Sequence, residues 1–179
     1  MRSRIIGYVW DTTVPAGSLL VFNGYPNTDR VIAVNPTTGA VIASLALDAN
    51  YDLTGATYDA ASNRIFLTAN TIAGGSTIVA LNPTTGVQTG LTVAPINVQT
   101  RSGLAIDPTS GHLWLGSYSG GAQLVEFSVS ATGALTELRR LPTASQGIDQ
   151  AEISGLSFAP DGTLWVASTQ GEIYRIDVG

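Results

Sequence analysis

Short apolar runs rich in Val, Ile, Leu and aromatic residues follow one another along the chain, separated by clusters of Gly, Pro, Asn, Asp, Ser and Thr. Runs of this length between turn-forming clusters predict β-strands. In the second quarter of the chain the expected strands are Leu53 to Asp59, Arg64 to Thr68, Ser76 to Leu81 and Val87 to Val93; near the end they are Ile153 to Phe158, Thr163 to Ser168 and Glu172 to Asp177. Helical spacing is never sustained without a Gly, a Pro or a Thr cluster breaking it, so essentially no helix is expected.

The runs recur with a period. Gly103-Leu-Ala-Ile-Asp-Pro-Thr-Ser-Gly-His-Leu-Trp-Leu-Gly returns as Gly155-Leu-Ser-Phe-Ala-Pro-Asp-Gly-Thr-Leu-Trp-Val-Ala-Ser and as Gly55-Ala-Thr-Tyr-Asp-Ala-Ala-Ser-Asn-Arg-Ile-Phe-Leu-Thr. A faint copy is Gly7-Tyr-Val-Trp-Asp followed by Ser18-Leu-Leu-Val-Phe, and the leading glycines stand 48, 48 and 52 residues apart. A second marker keeps step: Asn35-Pro-Thr-Thr-Gly39 and Asn82-Pro-Thr-Thr-Gly86 are identical, and Ser130-Ala-Thr-Gly133 takes the same place in the third unit. In such links Pro sits where φ is already fixed and Gly where φ must be positive, the chemistry of a hairpin loop built on a type I turn. Asn63 stands where Gly111 stands, and Asn is the non-glycine residue that best tolerates a left-handed position. Asp11, Asp59 and Asp107 recur before the first hairpin turn of their units, where a carboxylate accepts local backbone N–H groups.

Four strands to a repeat of about 45 to 50 residues is the period of propeller blades. The expected fold is therefore all-β: one domain over residues 1–179, made of four four-stranded antiparallel repeats at approximately 5–52, 53–100, 101–152 and 153–179. The segments Leu164-Trp-Val-Ala-Ser, Gly171-Glu-Ile-Tyr-Arg-Ile-Asp and Val31-Ile-Ala-Val-Asn-Pro-Thr-Thr-Gly-Ala-Val resemble bacterial propeller repeats of the NHL, YVTN and gluconolactonase-like groups. Such motifs specify blade geometry and are shared by proteins of many functions. The last unit reaches Gly179 without an outer strand, and the first begins with its own inner strand at about Ile5 to Trp10. We expect a piece of a larger ring of about six to eight blades, with closure by four blades alone or by a second copy as the alternatives. Unmatched blade faces and the open edge from Gly171 to Gly179 then predict self-association, most simply as a two-fold dimer. Phe66, Trp114 and Trp165, with Leu20 in the first unit, form a column repeating once per blade, which is expected to be packing between blades.

Composition narrows the partners. The chain carries eight arginines, no lysine and a formal net charge of −5, so neither nucleic acid nor an anionic membrane surface is an expected partner. No apolar run approaches the roughly 18 residues of a membrane-spanning helix, and the N-terminal stretch has no long apolar signal region, so no membrane insertion is expected. The absence of cysteine removes disulfides, thiol catalysis and Cys-ligated zinc. By analogy, an acidic, cysteine-free, Thr/Gly/Ala-rich chain suits an extracellular or periplasmic bacterial protein.

In a propeller the loops entering the inner strands and those joining second to third strands share one face, at the mouth of the central channel. Asp52, Thr100 and Glu152 fall three positions before the repeat glycines; Thr54, Ser102 and Ser154 fall one before, with Arg101 between. Carboxylates, hydroxyls and a guanidinium converging there suit a hard cation or an anionic ligand, and also suit a merely polar rim. Tyr25 and Tyr118 lie in second-to-third strand loops of the same face, where they could form a lip for a sugar or peptide. The gluconolactonase-like resemblance implies acidic ligands for a divalent cation such as Ca²⁺; Asp52 and Glu152 would match, and Thr100 replaces the acid between them. The similarity to virginiamycin B lyase implies a catalytic histidine, but His112 is the sole histidine and aligns with a turn on the opposite face, where solvent exposure is expected. The expected function is a non-catalytic binding or scaffold module without a cofactor, of a bacterial surface, periplasmic or secreted protein. The alternative is part of a metal-dependent gluconolactonase-like hydrolase or lyase.

Overall fold

The computed structural model describes residues 14, 15, 17–23, 30–46, 51–71, 75–84, 103–117, 123–148 and 153–179. Among these residues thirteen strands form four antiparallel sheets, each a meander in which every strand pairs with its neighbour in sequence. The first sheet holds β1 (Leu19–Asn23), β2 (Arg30–Val34) and β3 (Val41–Ala46); the second holds β4 (Tyr51–Asp59), β5 (Arg64–Thr71) and β6 (Gly75–Leu81). The third has four strands, β7 (Leu104–Ile106), β8 (Leu113–Ser117), β9 (Gln123–Val129) and β10 (Leu135–Pro142), and the fourth has β11 (Ile153–Phe158), β12 (Leu164–Ser168) and β13 (Ile173–Ile176). Among the described residues the helical content is a single 3₁₀ turn at Thr143–Gln146. The expected strands at Ile5 to Trp10 and Val87 to Val93 lie outside the described residues.

The hairpins form for the local reasons the sequence suggests. Asn35 accepts the backbone N–H groups of Thr37 and Thr38 at 2.9 and 3.1 Å, and Gly39 closes the loop at φ 72°. Asp107 takes the N–H of Thr109 at 2.8 Å and the hydroxyl of Ser110 at 2.6 Å ahead of Gly111 at φ 71°. Asp59 does the same with Ala61 and Ser62, and Asn63 carries the turn at φ 50°, the left-handed conformation expected of it. Loop length varies within one chemistry: Gly39 and Gly111 donate to a carbonyl four residues back, whereas Gly133, Gly162 and Gly171 donate three residues back. The shorter loop is why the fourth repeat places its glycine one position earlier.

The core lies between the sheets, because alternate residues of each strand point to opposite faces. The forward face of the first sheet, with Val31, Ala33, Ala43 and Leu45, meets the rearward face of the second, with Ile65, Leu67, Val79 and Leu81. Phe66, Ile78 and Ala80 leave the second sheet forward and pack on Leu113, Leu115, Val125 and Phe127 of the third. Trp114 and Leu124 leave the third and pack on Ile153, Leu164, Val166 and Ile176 of the fourth. Each fully buried Leu, Ile, Val or Phe is worth about 1.5–3 kcal/mol, so these three clusters carry the fold.

Sheets stacked this way converge at their innermost strands, and the repeat glycine makes that possible. A Cβ on Gly103 would sit 2.5 Å from the backbone nitrogen of Leu156 and 2.7 Å from the carbonyl carbon of Gly155. The inner strands of the third and fourth sheets therefore approach backbone to backbone. The substantial contacts between sheets all run between neighbours in chain order, and no closed ring forms among the described residues.

Candidate functional site

The face singled out by the sequence is reached from the inner strands. Asp52 lies in β4, its backbone opposite Asn70. Thr54 and Ser154 are the extra residues of two bulges at the same repeat position, where the register shifts between Leu53 and Gly55 and between Ile153 and Gly155. A bulge leaves its extra residue out of the ladder and re-aims its side chain. Both hydroxyls donate to the second strand of their own sheet, Thr54 Oγ1 to the carbonyl of Thr68 at 3.4 Å and its hydroxyl at 3.1 Å, Ser154 Oγ to the carbonyl of Ala167 at 3.2 Å. Thr100, Arg101, Ser102, Glu152, Tyr25 and Tyr118 lie outside the described residues. Whether they converge with Asp52, Thr54 and Ser154 therefore remains an expectation, as does a cation held by Asp52 and Glu152.

At the opposite end of the sheets the structure brings together three residues the sequence reading did not join. Trp114, Glu126 and Arg139 stand opposite one another across β8, β9 and β10, so their side chains leave the third sheet on one face. Glu126 is buried; its Oε1 accepts from His112 Nδ1 at 2.6 Å and its Oε2 from Arg139 Nε at 2.5 Å. Arg139 spans the junction, donating from its terminal nitrogen to the carbonyl of Val178 at 2.5 Å, with its guanidinium 5.3 Å from the centre of the Trp114 ring. Burial alone raises the Glu126 pKa; the hydrogen bonds and charges of His112 and Arg139 outweigh it and hold the carboxyl below the ordinary glutamate range. His112, expected as a solvent-exposed turn residue, is half-buried, because the strand that follows the turn aims it along the same face as Trp114. The signal was present: Glu126 interrupts the apolar run Leu124-Val125-Glu126-Phe127 where Ala33 and Ala80 stand in the first two units.

Beside this network, an open depression of about 430 Å³ is lined by Asp161, Gly162, Thr163, Arg175, Ile176 and Asp177. The Asp161 carboxyl is held below its usual range chiefly by the Thr163 backbone N–H, with a smaller contribution from the Arg175 charge. Among the described residues no three His, Asp or Glu side chains are grouped for a metal ion.

The sequence matches no family model and no curated protein. Solved structures do resemble the fold. A luciferin-regenerating enzyme superposes with a TM-score of 0.62 at 16% identity, over 91% of this chain and 55% of its own. A candidate 6-phosphogluconolactonase from Bacteroides uniformis gives 0.59 at 16% identity, over 93% and 50%, and a streptogramin B lyase gives 0.51 at 12% identity, over 96% and 54%. All are β-propellers, and the all-β arrangement of four small antiparallel sheets among the described residues is consistent with a propeller-like fold. At such identities the likeness concerns the fold alone. The chain spans about half the length of each of these structures.

Proposed function

We propose that this chain is a non-catalytic binding or scaffold portion of a propeller, from a bacterial protein working at the cell surface, in the periplasm or outside the cell. Its partner, a protein or a sugar-like ligand, meets the channel-mouth face that carries Asp52, Thr54, Thr100, Arg101, Ser102, Glu152, Ser154, Tyr25 and Tyr118. One observation supports the non-catalytic reading: the two buried carboxylates of the described residues, Asp59 and Glu126, are both committed to scaffold contacts. Asp59 closes a hairpin, and Glu126 holds His112 and Arg139 of its own sheet, the latter reaching the Val178 carbonyl beyond the fourth sheet. General acid–base chemistry needs a perturbed group within reach of a substrate proton, and these two are bonded to their own hairpin and their own sheet. No cofactor is required for this role.

Thermal melts with and without millimolar Ca²⁺, Mg²⁺ or Zn²⁺, paired with an assay on 6-phosphogluconolactone, test the reading. The expected result is an unchanged melting temperature with all three ions and no turnover. A rise of several degrees with one ion, lost in Asp52→Asn or Glu152→Gln, together with metal-dependent turnover, would replace the scaffold by a metal-dependent hydrolase.

A further inference from the structure

The two ends of the stack expose apolar positions whose counterparts between them are buried or, at Leu20 on the forward side of the first sheet, half-buried. On the rearward side of the second strand, Ile65 and Leu67, Leu113 and Leu115, and Leu164 and Val166 are between 0% and 3% exposed in the second, third and fourth sheets. The same two positions of the first sheet are Leu19 and Val21, which are 55% and 41% exposed, and Val41, which shares the Leu19 face through Val34, is 66% exposed. On the forward side, Phe66 and Trp114 are 0% and 1% exposed, but their counterpart Trp165 is 43% exposed. Ile173 lies on that same face, opposite Ala167, and is exposed as well. The backbone repeats the contrast: the next inner strand presses against Gly103, whereas a Cβ on Gly155 would meet nothing nearer than Ala167 of its own sheet, at 3.6 Å.

We infer that the forward face of the fourth sheet docks on the rearward face of the first sheet of a second copy of this chain, and the reverse, so that two copies close one ring. This inference is independent of the binding role proposed above. Two observations choose a second copy. At the second junction Phe66, and at the third Trp114, enters a rearward face lined by Leu, Val, Ile or Phe, and Leu19, Val21 and Val41 are a face of that chemistry. The two faces stand at opposite ends of the stack, and among the described residues no substantial contact joins the first sheet to the fourth. A two-fold pair makes the same junction twice and leaves no open face, which ends the assembly at two copies.

Light scattering on the full chain at micromolar concentration should give twice the chain mass. Trp165→Glu and Leu19→Glu should each give a monomer that still unfolds cooperatively. Mixing the two variants should restore a dimer, because the Trp165 of one and the Leu19 of the other still form one native junction. The chain has no cysteine, so Trp165→Cys combined with Val21→Cys supplies a second readout that does not depend on the charged variants folding. Mild oxidation should link two copies through these positions and neither single variant should do so across the same pair. A wild-type chain that is a monodisperse, cooperatively melting monomer would overturn the inference, and so would an open-ended series of larger species. A dimer that survives both charged substitutions, or the lack of any cross-link, would overturn it too.

Discussion

Trp114 and Trp165 occupy the same repeat position, each in the second strand of its sheet and each followed by a small-residue stretch, yet one is 1% exposed and the other 43%. Their local sequences differ little; their neighbours differ completely. Trp114 is covered by the fourth sheet and braced by Arg139, and its ring lies 6.3 Å from that of Phe158. Trp165 faces outward from the last sheet. A propeller blade contributes a side chain to a junction but does not build the junction alone, which is why repeat stacks need a partner or a cap at each end.

The largest effect should separate these two tryptophans. Trp114→Ala is expected to cost about 3–5 kcal/mol in urea unfolding, the usual range for a buried aromatic truncated to Ala. Trp165→Ala should stay within about 1 kcal/mol when measured at a dilution where copies are apart, and move toward the Trp114 value at high concentration. Equal losses at every concentration would break the contrast between inner and terminal junctions.

The repeat glycines should divide the same way, by a smaller amount. Gly103→Ala forces backbone apart at the third junction and is expected to destabilise by about 1–3 kcal/mol. Gly155→Ala meets only an ordinary van der Waals neighbour and should fall within about 0.5 kcal/mol of the parent in thermal melts at low concentration. A severe loss at Gly155 in the dissociated chain would show that the fourth sheet is already covered.

The polar stitch at the third junction should have a more modest effect than the Trp114 or Gly103 change, and a pH signature. Glu126→Gln replaces a charge-assisted acceptor and is expected to cost about 1–2 kcal/mol at neutral pH. Because folding lowers the Glu126 pKa, its contribution is fully present above the unfolded value and fades as pH falls through the lower folded value. Urea unfolding from pH 7 downward should therefore show the parent losing more stability than the variant, the gap closing in strong acid. Parallel profiles would mean that the contacts to His112 and Arg139 add nothing through charge.

Much of this fold was legible in advance because its signals are local. Turn chemistry at Asn35, Asp59 and Asp107 acts over a few residues, and it placed the hairpins and the left-handed Asn63. Strand ends came out within one to three residues where described, as at Leu53 against Tyr51 and Thr163 against Leu164. The candidate site was less legible. That Thr54 and Ser154 precede the repeat glycines is sequence; that they are bulged out of register and bonded to Thr68 and Ala167 follows from how two strands pair. The stitch at Glu126 joins residues from β9, β10, the turn before β8 and the end of the chain, a conjunction no window of sequence contains.

By itself, then, the sequence determined the strands, their turns and the repeat that makes every sheet alike, since propensity, left-handed glycine positions and period act along the chain. Only the tertiary structure decided which copies of a repeated residue are buried, because burial belongs to the space between two sheets. Phe66 and Trp114 have a neighbouring sheet on that face, while Leu19 and Trp165 face away from the stack.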